Sequence, residues 1–324
     1  MTKAIRIEKN GGPEVMEYVD VDVPQPGPGE VSVRQAACGL NYIDVYFRSG
    51  LYKQPLPGGI GMEGAGVVDA VGPGVTHVRP GDRVAYAGHP PGAYAQWRTV
   101  PADILVKLPK SIDFDVAAGM MLQGMTVQYL FRRTFRLQGG ETILFHAAAG
   151  GVGLIACQWA RALGVTMIGT VSSDEKAELA KQHGCKHVIN YRRENFVERV
   201  KEITNGEGVP VVYDSVGKDT FTDSLDCLSP LGMMVSYGSA SGPVPPFSLN
   251  ELASRGSLFI TRPSLFSYTA RRDDLEMMAA ELFGMVEGGK IGIEVNQRYA
   301  LQDAAQAHRD LEARKTTGST ILIP

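Results

Sequence analysis

Residues 142–164 read TILFHAAAGGVGLIACQWARALG. An apolar β-like run, TILFHA, leads through small residues into a helical run closed by Gly164, with Ala148, Gly150 and Gly153 spaced as A-x-G-x-x-G. That spacing meets three demands of a dinucleotide loop. They are a tight turn, a bare backbone beside a pyrophosphate, and close contact of helix on strand. The opening of the helix then offers unpaired N–H groups and a positive dipole end to the phosphates. Ala148 stands where the first glycine is usual, so the turn is expected to tolerate a Cβ there. The other reading is an ordinary glycine turn; its strand–turn–helix setting favours the dinucleotide.

Further units follow. TMIGTV (166–171) reads as a strand, DEKAELAKQHG (174–184) as a helix, and HVINY (187–191) as a strand. NFVERVKEIT (195–204) reads as a helix, and VPVVYDSVG (209–217) and GMMVSYG (232–238) as strands. Strands alternating with helices of about ten residues predict a parallel, doubly wound sheet. On the amino-terminal side the texture differs. KAIRIE, EVSVRQAACG, GAGVVDAVG and DRVAYAG are short β-like runs among Gly- and Pro-rich turns, which predicts a β-rich domain. Between the two lies DFDVAAGMMLQGMTVQYLFRRTF (113–135), apolar at helical spacing, with Asp115 expected to cap it. The last strand-like piece, STILIP, follows a helix and is expected to rejoin the first domain. The expected division is 1–125, the first part of the β-rich domain; 126–260, the dinucleotide domain; and 261–324, a return to the first. GSLFITRPSL, last in the αβ domain, is expected at a sheet edge, where an uncovered apolar strand invites a symmetry mate and a homodimer.

The second strand of an NAD site ordinarily ends near an acid about 20 residues past the glycines, which holds the ribose hydroxyls. Here Ser172 and Ser173 stand at that point, with Lys176 a turn further on. Hydroxyls and a cation suit a 2′-phosphate, so NADPH is expected rather than NADH. Tyr191, Arg192 and Arg193, ending the next strand, are further donors. Ser173 or Asp174 is also a helix cap, a role compatible with phosphate binding.

Composition narrows the function. The 324 residues carry a net charge of −3, with 44% apolar and 21% charged residues. This suits a globular protein and weighs against a nucleic-acid surface, which needs a basic field. No apolar run reaches the roughly 18 residues of a membrane span, and the charged start MTKAIRIEKN is unlike a secretion signal. Cys38, Cys157, Cys185 and Cys227 are scattered, without a C-x-x-C pair, and are expected to be reduced. The expected location is the cytoplasm.

A run of ordered motifs carries a family resemblance: NGGPEVM, GLNYIDVYFRSGLY, GMEGAGVV, GDRVAY, FHAAAGGVGLIACQWARALG, VINYR, VVYDSVG, ITRPSL and GSTILIP. With these the chain resembles the zinc-free quinone oxidoreductases, the zeta-crystallin-like branch of the medium-chain dehydrogenases and reductases. The resemblance implies a Rossmann sheet inserted in a β-rich GroES-like catalytic domain. In zinc-dependent members one catalytic ligand is a cysteine where Asn41 stands in GLNYID, and another is a histidine where Met62 stands in GMEGAG. A structural zinc lobe of four cysteines would fall near AGHPPGAYAQW, which has none. An amide and a thioether are poor ligands for Zn²⁺, so no metal is expected.

Quinones accept a hydride into a conjugated system without a Lewis acid, leaving the protein to supply placement. The implied reaction is NADPH-dependent quinone reduction, or reduction of α,β-unsaturated ketones or aldehydes on the same scaffold. A reading of another class is an RNA-binding or crystallin-like protein, as some relatives are. Asn41, Tyr46 and Tyr52 are the candidate catalytic residues: Asn41 at the lost ligand position, the tyrosines as donors and flat faces for a ring. Each tyrosine reads equally well as a core aromatic. Asp44 is expected to hold local structure and Met62 to fill space. The resemblance implies cofactor contacts at Asn41, Tyr42, Tyr46, Tyr129, Gly150, Gly151, Val152, Gly153, Ser172, Ser173, Lys176, Tyr191, Val216, Tyr237, Gly238, Ser239, Ser264, Leu265 and Arg314. Beyond the glycine loop and the Ser172–Lys176 stretch, the residues themselves are silent, and core packing is the alternative.

Overall fold

A computed structural model of the chain describes residues 1–23 and 25–324. The chain forms two compact units. One comprises Met1–Met125, Thr269–Glu287 and Ile293–Pro324, the other Thr126–Tyr268 and Gly288–Gly292.

The second unit is built on a six-stranded parallel sheet. Its spatial order is His187–Asn190, Thr166–Val171, Thr142–Phe145, Val209–Asp214, Leu228–Ser236, Phe259–Thr261. Counted along the chain this is 3-2-1-4-5-6, the doubly wound order whose direction reverses between the first and fourth strands. Helices Gly151–Leu163, Asp174–Gln182 and Phe196–Ile203 link the strands. One stops at Gly164, whose φ of 72° is open to glycine at no steric cost. Because helices cover both faces, the strands are apolar almost throughout. Leu144, Ile168, Ile189, Val212 and Met234 pack with Phe196, Val200 and Phe221 in one dry cluster.

The first unit is antiparallel except where Val295–Ala300 runs parallel to Ser319–Ile323. Glu30–Leu40 lies at its centre, pairing with Glu63–Val71, Trp97–Pro101 and, at its far end, Ser319–Ile323. The terminal STILIP segment thus joins this sheet between Glu30–Leu40 and Val295–Ala300. Val31, Val33, Val68, Val84, Tyr86 and Val100 fill its core. A smaller sheet pairs Thr2–Ile7 with Met16–Val21 and Gly58–Gly59.

The apolar stretch 113–135 is three pieces rather than one helix. Phe114–Ala118 ends at Gly119, Met121–Tyr129 follows, and Leu130–Thr134 winds as a π-helix. Asp113, not Asp115, occupies the cap position; Asp115 lies in the first turn and pairs with Arg298 at 3.1 Å. At the π turn the Tyr213 hydroxyl donates to the Leu130 carbonyl at 3.2 Å.

Candidate active site

In the second unit the expected cofactor residues gather at the carboxyl ends of the parallel strands. Thr142–Phe145 runs into His146, fully buried between Thr170 Oγ1 and Ser224 Oγ, each 2.9 Å away. Burial lowers its pKa, which favours the neutral ring. The next residue, Ala147, takes the left-handed conformation, with φ of 57°. The conformational burden of the turn therefore falls on Ala147. Ala148 is buried and its N–H donates to the Thr170 carbonyl at 3.0 Å. Its methyl occupies room left by Gly169 on the neighbouring strand, since a Cβ added to Gly169 would lie 2.6 Å from it. Gly153 is required for the contact of helix with turn: a Cβ there would overlap the Ala147 carbonyl and lie 2.6 Å from that of Ala148. Helix Gly151–Leu163 is capped by Gly150, which has no side chain to offer its leading N–H groups. A bare backbone and a positive dipole end thus stand together, as a pyrophosphate requires.

One strand over, Thr166–Val171 delivers Ser172 and Ser173. Ser173 caps helix Asp174–Gln182, its Oγ accepting from Lys176 N–H at 3.3 Å. The same side chain hydrogen-bonds the Glu175 carboxyl, which the Glu175 backbone N–H and Ser173 together hold below its usual range. Asp174 is turned to the third strand, where it accepts from Asn190 Nδ2 at 2.9 Å and pairs with Arg193 at 2.7 Å. Arg193 is thus already engaged by a carboxylate, which weakens its case as a phosphate donor. Tyr191 follows the same strand and is exposed.

On the other side of the switch in strand order, buried Asp214 shapes the turn. Its Oδ1 accepts from Val216 N–H at 2.7 Å and Gly217 N–H at 3.1 Å, and its Oδ2 accepts from Thr220 Oγ1 at 2.7 Å. Tyr237, Gly238 and Ser239 continue from the adjacent strand, with Gly238 so close to Ser215 that a Cβ would lie 2.5 Å from its carbonyl. Ser264 and Leu265 follow the last strand. Tyr129 is buried and stacks on Tyr268 with ring centroids 4.5 Å apart.

In the first unit Asn41 ends strand Glu30–Leu40 and opens helix Tyr42–Ser49. Its N–H donates to Asp44 Oδ2 at 2.9 Å, and Tyr94 Oη donates to the same oxygen at 2.9 Å. The Asn41 amide is held on two sides: Nδ2 donates to Glu63 Oε2 at 2.5 Å, and Gln123 Nε2 donates to Oδ1 at 3.2 Å. Glu63 is fully buried and accepts Leu122 N–H on its other oxygen at 2.8 Å. Desolvation pushes the Glu63 carboxyl up to about 8 and that of Asp44 up to about 7. In the sequence Glu63 stands out only as part of GMEGAGVV. It is an acid at the head of the strand Glu63–Val71, and its partners lie 22 and 59 residues away.

The aromatic candidates surround the same helix. Tyr46 is 7% exposed, with its ring 5.6 Å from that of Tyr42 and 5.2 Å from that of Tyr52. Tyr42 and Tyr52 are half-buried. Burial raises the Tyr42 phenol, with the charges of Glu312 and Arg314 also acting on it. Arg314 itself sits in the left-handed region at φ of 59°, just past helix Ala304–Glu312.

Met62 is wholly buried, and the Asn41 amide is held through one hydrogen by Glu63 and through one lone pair by Gln123. A thioether and an engaged amide do not make a Zn²⁺ donor set, whatever the ancestry of the fold. Among the described residues no group of three or more His, Cys, Asp or Glu side chains converges as ligands would.

Comparisons with known proteins agree with this geometry. Residues 27–110 match the alcohol dehydrogenase GroES-like domain and residues 151–281 the zinc-binding dehydrogenase family. The chain is 58% identical to a quinone oxidoreductase of Pseudomonas aeruginosa, over all of both chains. It is 48% identical to a 2-haloacrylate reductase of a Burkholderia species, over all of this chain and 99% of that one. The crystal structure of Escherichia coli quinone oxidoreductase complexed with NADPH superposes with a TM-score of 0.98 at 50% identity. That match covers 99% of this chain and all of the other.

Proposed function

The chain belongs to the quinone oxidoreductase branch of the medium-chain dehydrogenases and reductases, and on that premise we propose that it reduces quinones with NADPH, without a metal. The observation that carries the cofactor half is the carboxyl edge of the parallel sheet. There a glycine-rich helix start without a side-chain cap stands beside strand Thr166–Val171, which leads into Ser172 and Ser173 rather than an acid. Gly150, Gly151, Val152 and Gly153 hold the pyrophosphate. Ser172, Ser173 and Lys176 receive the 2′-phosphate, with Tyr191 alongside. Val216, Tyr237, Gly238, Ser239, Ser264 and Leu265 line the same edge, with Tyr129, Tyr42, Tyr46 and Arg314 as further contacts. When bound, the cofactor supplies the hydride.

The protein's own part is placement, which is worth several kcal/mol when two reactants are held in line. Asn41 orients the reacting pair and Tyr46 and Tyr52 give the flat ring an apolar wall. The similarity to a 2-haloacrylate reductase supports a second reading, in which an activated carbon–carbon double bond takes the hydride. NADPH oxidation measured against 1,4-benzoquinone, an enone and a 2-haloacrylate separates them. The proposal expects the quinone to have the highest kcat/KM; a higher value for either olefin selects the second reading.

The exposed edge strand Phe259–Thr261 supports a homodimer. Phe259 is 56% and Ile260 36% exposed, with Leu231 and Leu249 also exposed on this unit. No helix among the described residues is long and apolar enough to cross a membrane. The cytoplasm is the proposed location.

A further inference from the structure

We propose that Glu63 is the positioning residue for Asn41, fixing which end of that amide faces the reacting pair. The proposal rests on the reading of Asn41 as a group at the reacting centre. An amide's two ends have nearly the same shape, so orientation must be imposed by hydrogen-bond partners. Asn41 sits in a buried chain that runs Ser319, Gln123, Asn41, Glu63, Leu122. Ser319 Oγ lies 2.9 Å from Gln123 Oε1 and 2.6 Å from the Gly119 carbonyl. Gln123 Nε2 reaches Asn41 Oδ1, and Asn41 Nδ2 reaches Glu63 Oε2.

The Ser319 end cannot choose the orientation. One hydroxyl proton faces two acceptors, and the same oxygen can also accept, so either end of Gln123 is satisfied there. The Glu63 end can choose. The ionised carboxylate, the form present above about pH 8, only accepts, and its other oxygen is already held by the Leu122 main-chain N–H, a donor that cannot reverse. Asn41 must then turn Nδ2 to Glu63 and Oδ1 to Gln123. The backbone makes room for this: a Cβ on Gly39 would overlap Glu63 Oε2. Asp44, from helix Tyr42–Ser49, and Tyr86, from strand Arg83–Ala87, are the titratable groups that act on Glu63, and neither is a cation. A buried acid without a cation is costly. A glutamine or methionine would fill the volume more cheaply, and neither would fix the amide in this orientation.

The test uses Glu63→Gln, which keeps the shape but, with its oxygen held by the Leu122 N–H, presents an NH2 to Asn41 and so favours the reversed amide. With NADPH and 1,4-benzoquinone, kcat should fall about tenfold, while KM for the quinone and the Kd for NADPH stay within about twofold. Asn41→Ala should show a loss at least as large, and the double variant should be no slower than Asn41→Ala alone. A Glu63→Gln enzyme with full kcat overturns the proposal. So does a loss that persists undiminished in the Asn41→Ala background, which would mark Glu63 as acting independently of Asn41. Full activity in Asn41→Ala would instead refute the reading of Asn41 itself, and the proposal with it. Should Glu63→Gln not fold, Glu63→Asp keeps an acceptor but withdraws it. Its severalfold loss in kcat should likewise vanish when Asn41 is alanine, and persistence overturns the proposal.

Discussion

Gly169 lies so close to Ala148 that a Cβ on it would sit 2.6 Å from the Ala148 methyl and 2.7 Å from Cys185 Sγ. The alanine at the first position of the dinucleotide loop is accommodated by a glycine on the adjacent strand. Gly169→Ala should therefore destabilise by about 1–3 kcal/mol through overpacking. Ala148→Gly should recover part of that loss, although Cys185 remains in the way. Denaturant melts of the two single variants and the double check this. Strict additivity would show that the two residues do not share one space.

Coenzyme choice should depend on Lys176. NADPH should bind at least about tenfold more tightly than NADH, about 1.4 kcal/mol. Lys176→Ala should erode that preference while NADH binding is little changed. Fluorescence titration of both nucleotides measures it, and equal affinities in the unmutated protein would contradict the assignment of the 2′-phosphate site.

Stability should fall as pH rises from 6.5 to 8.5. The carboxyls of Asp44 and Glu63 are raised by burial to about 7 and about 8 in the folded protein. The folded state therefore holds protons that the unfolded chain has already released. Their contribution is full below the ordinary carboxylate range and is lost as pH climbs through the folded values, on the order of 2 kcal/mol across this window. His146 and His308 are lowered by burial and oppose the trend only below about their ordinary pKa. Thermal melts of the unmutated protein should show the slope, and Asp44→Asn or Glu63→Gln should flatten it. A flat profile in the unmutated protein would show that neither carboxyl is raised.

The edge strand should carry the dimer contact. Sedimentation should give twice the chain mass at micromolar concentration, and Phe259→Lys with Ile260→Lys should give the single chain mass with the fold retained by circular dichroism. A monomer before mutation would refute the dimer.

Local rules made much of this legible in the sequence. The strand Thr166–Val171 and the stop at Gly164 coincide with the apolar run and the glycine that marked them, because periodicity and helix capping act over a few residues. That Asn41 and Met62 stand at metal-ligand positions is implied by the family resemblance and not by any local rule. What sequence did not yield is long-range. Tyr94 Oη lies 3.2 Å from His308 Nε2, whose ring meets Arg48, itself paired bidentately with Glu312 at 2.8 Å. Those partners lie up to 264 residues apart, and no spacing rule reaches that far. The break at Gly119 is likewise hidden, because both flanking pieces share one apolar texture.

The most direct test of the central claim is a rapid-mixing experiment on protein treated with chelator and loaded with NADPH, then mixed with 1,4-benzoquinone. The account predicts loss of NADPH absorbance matched one to one by hydroquinone, slowed by a primary isotope effect when the transferred hydrogen is deuterium. Oxidation no faster than in protein-free solution, or activity that returns only when zinc is added, would contradict it.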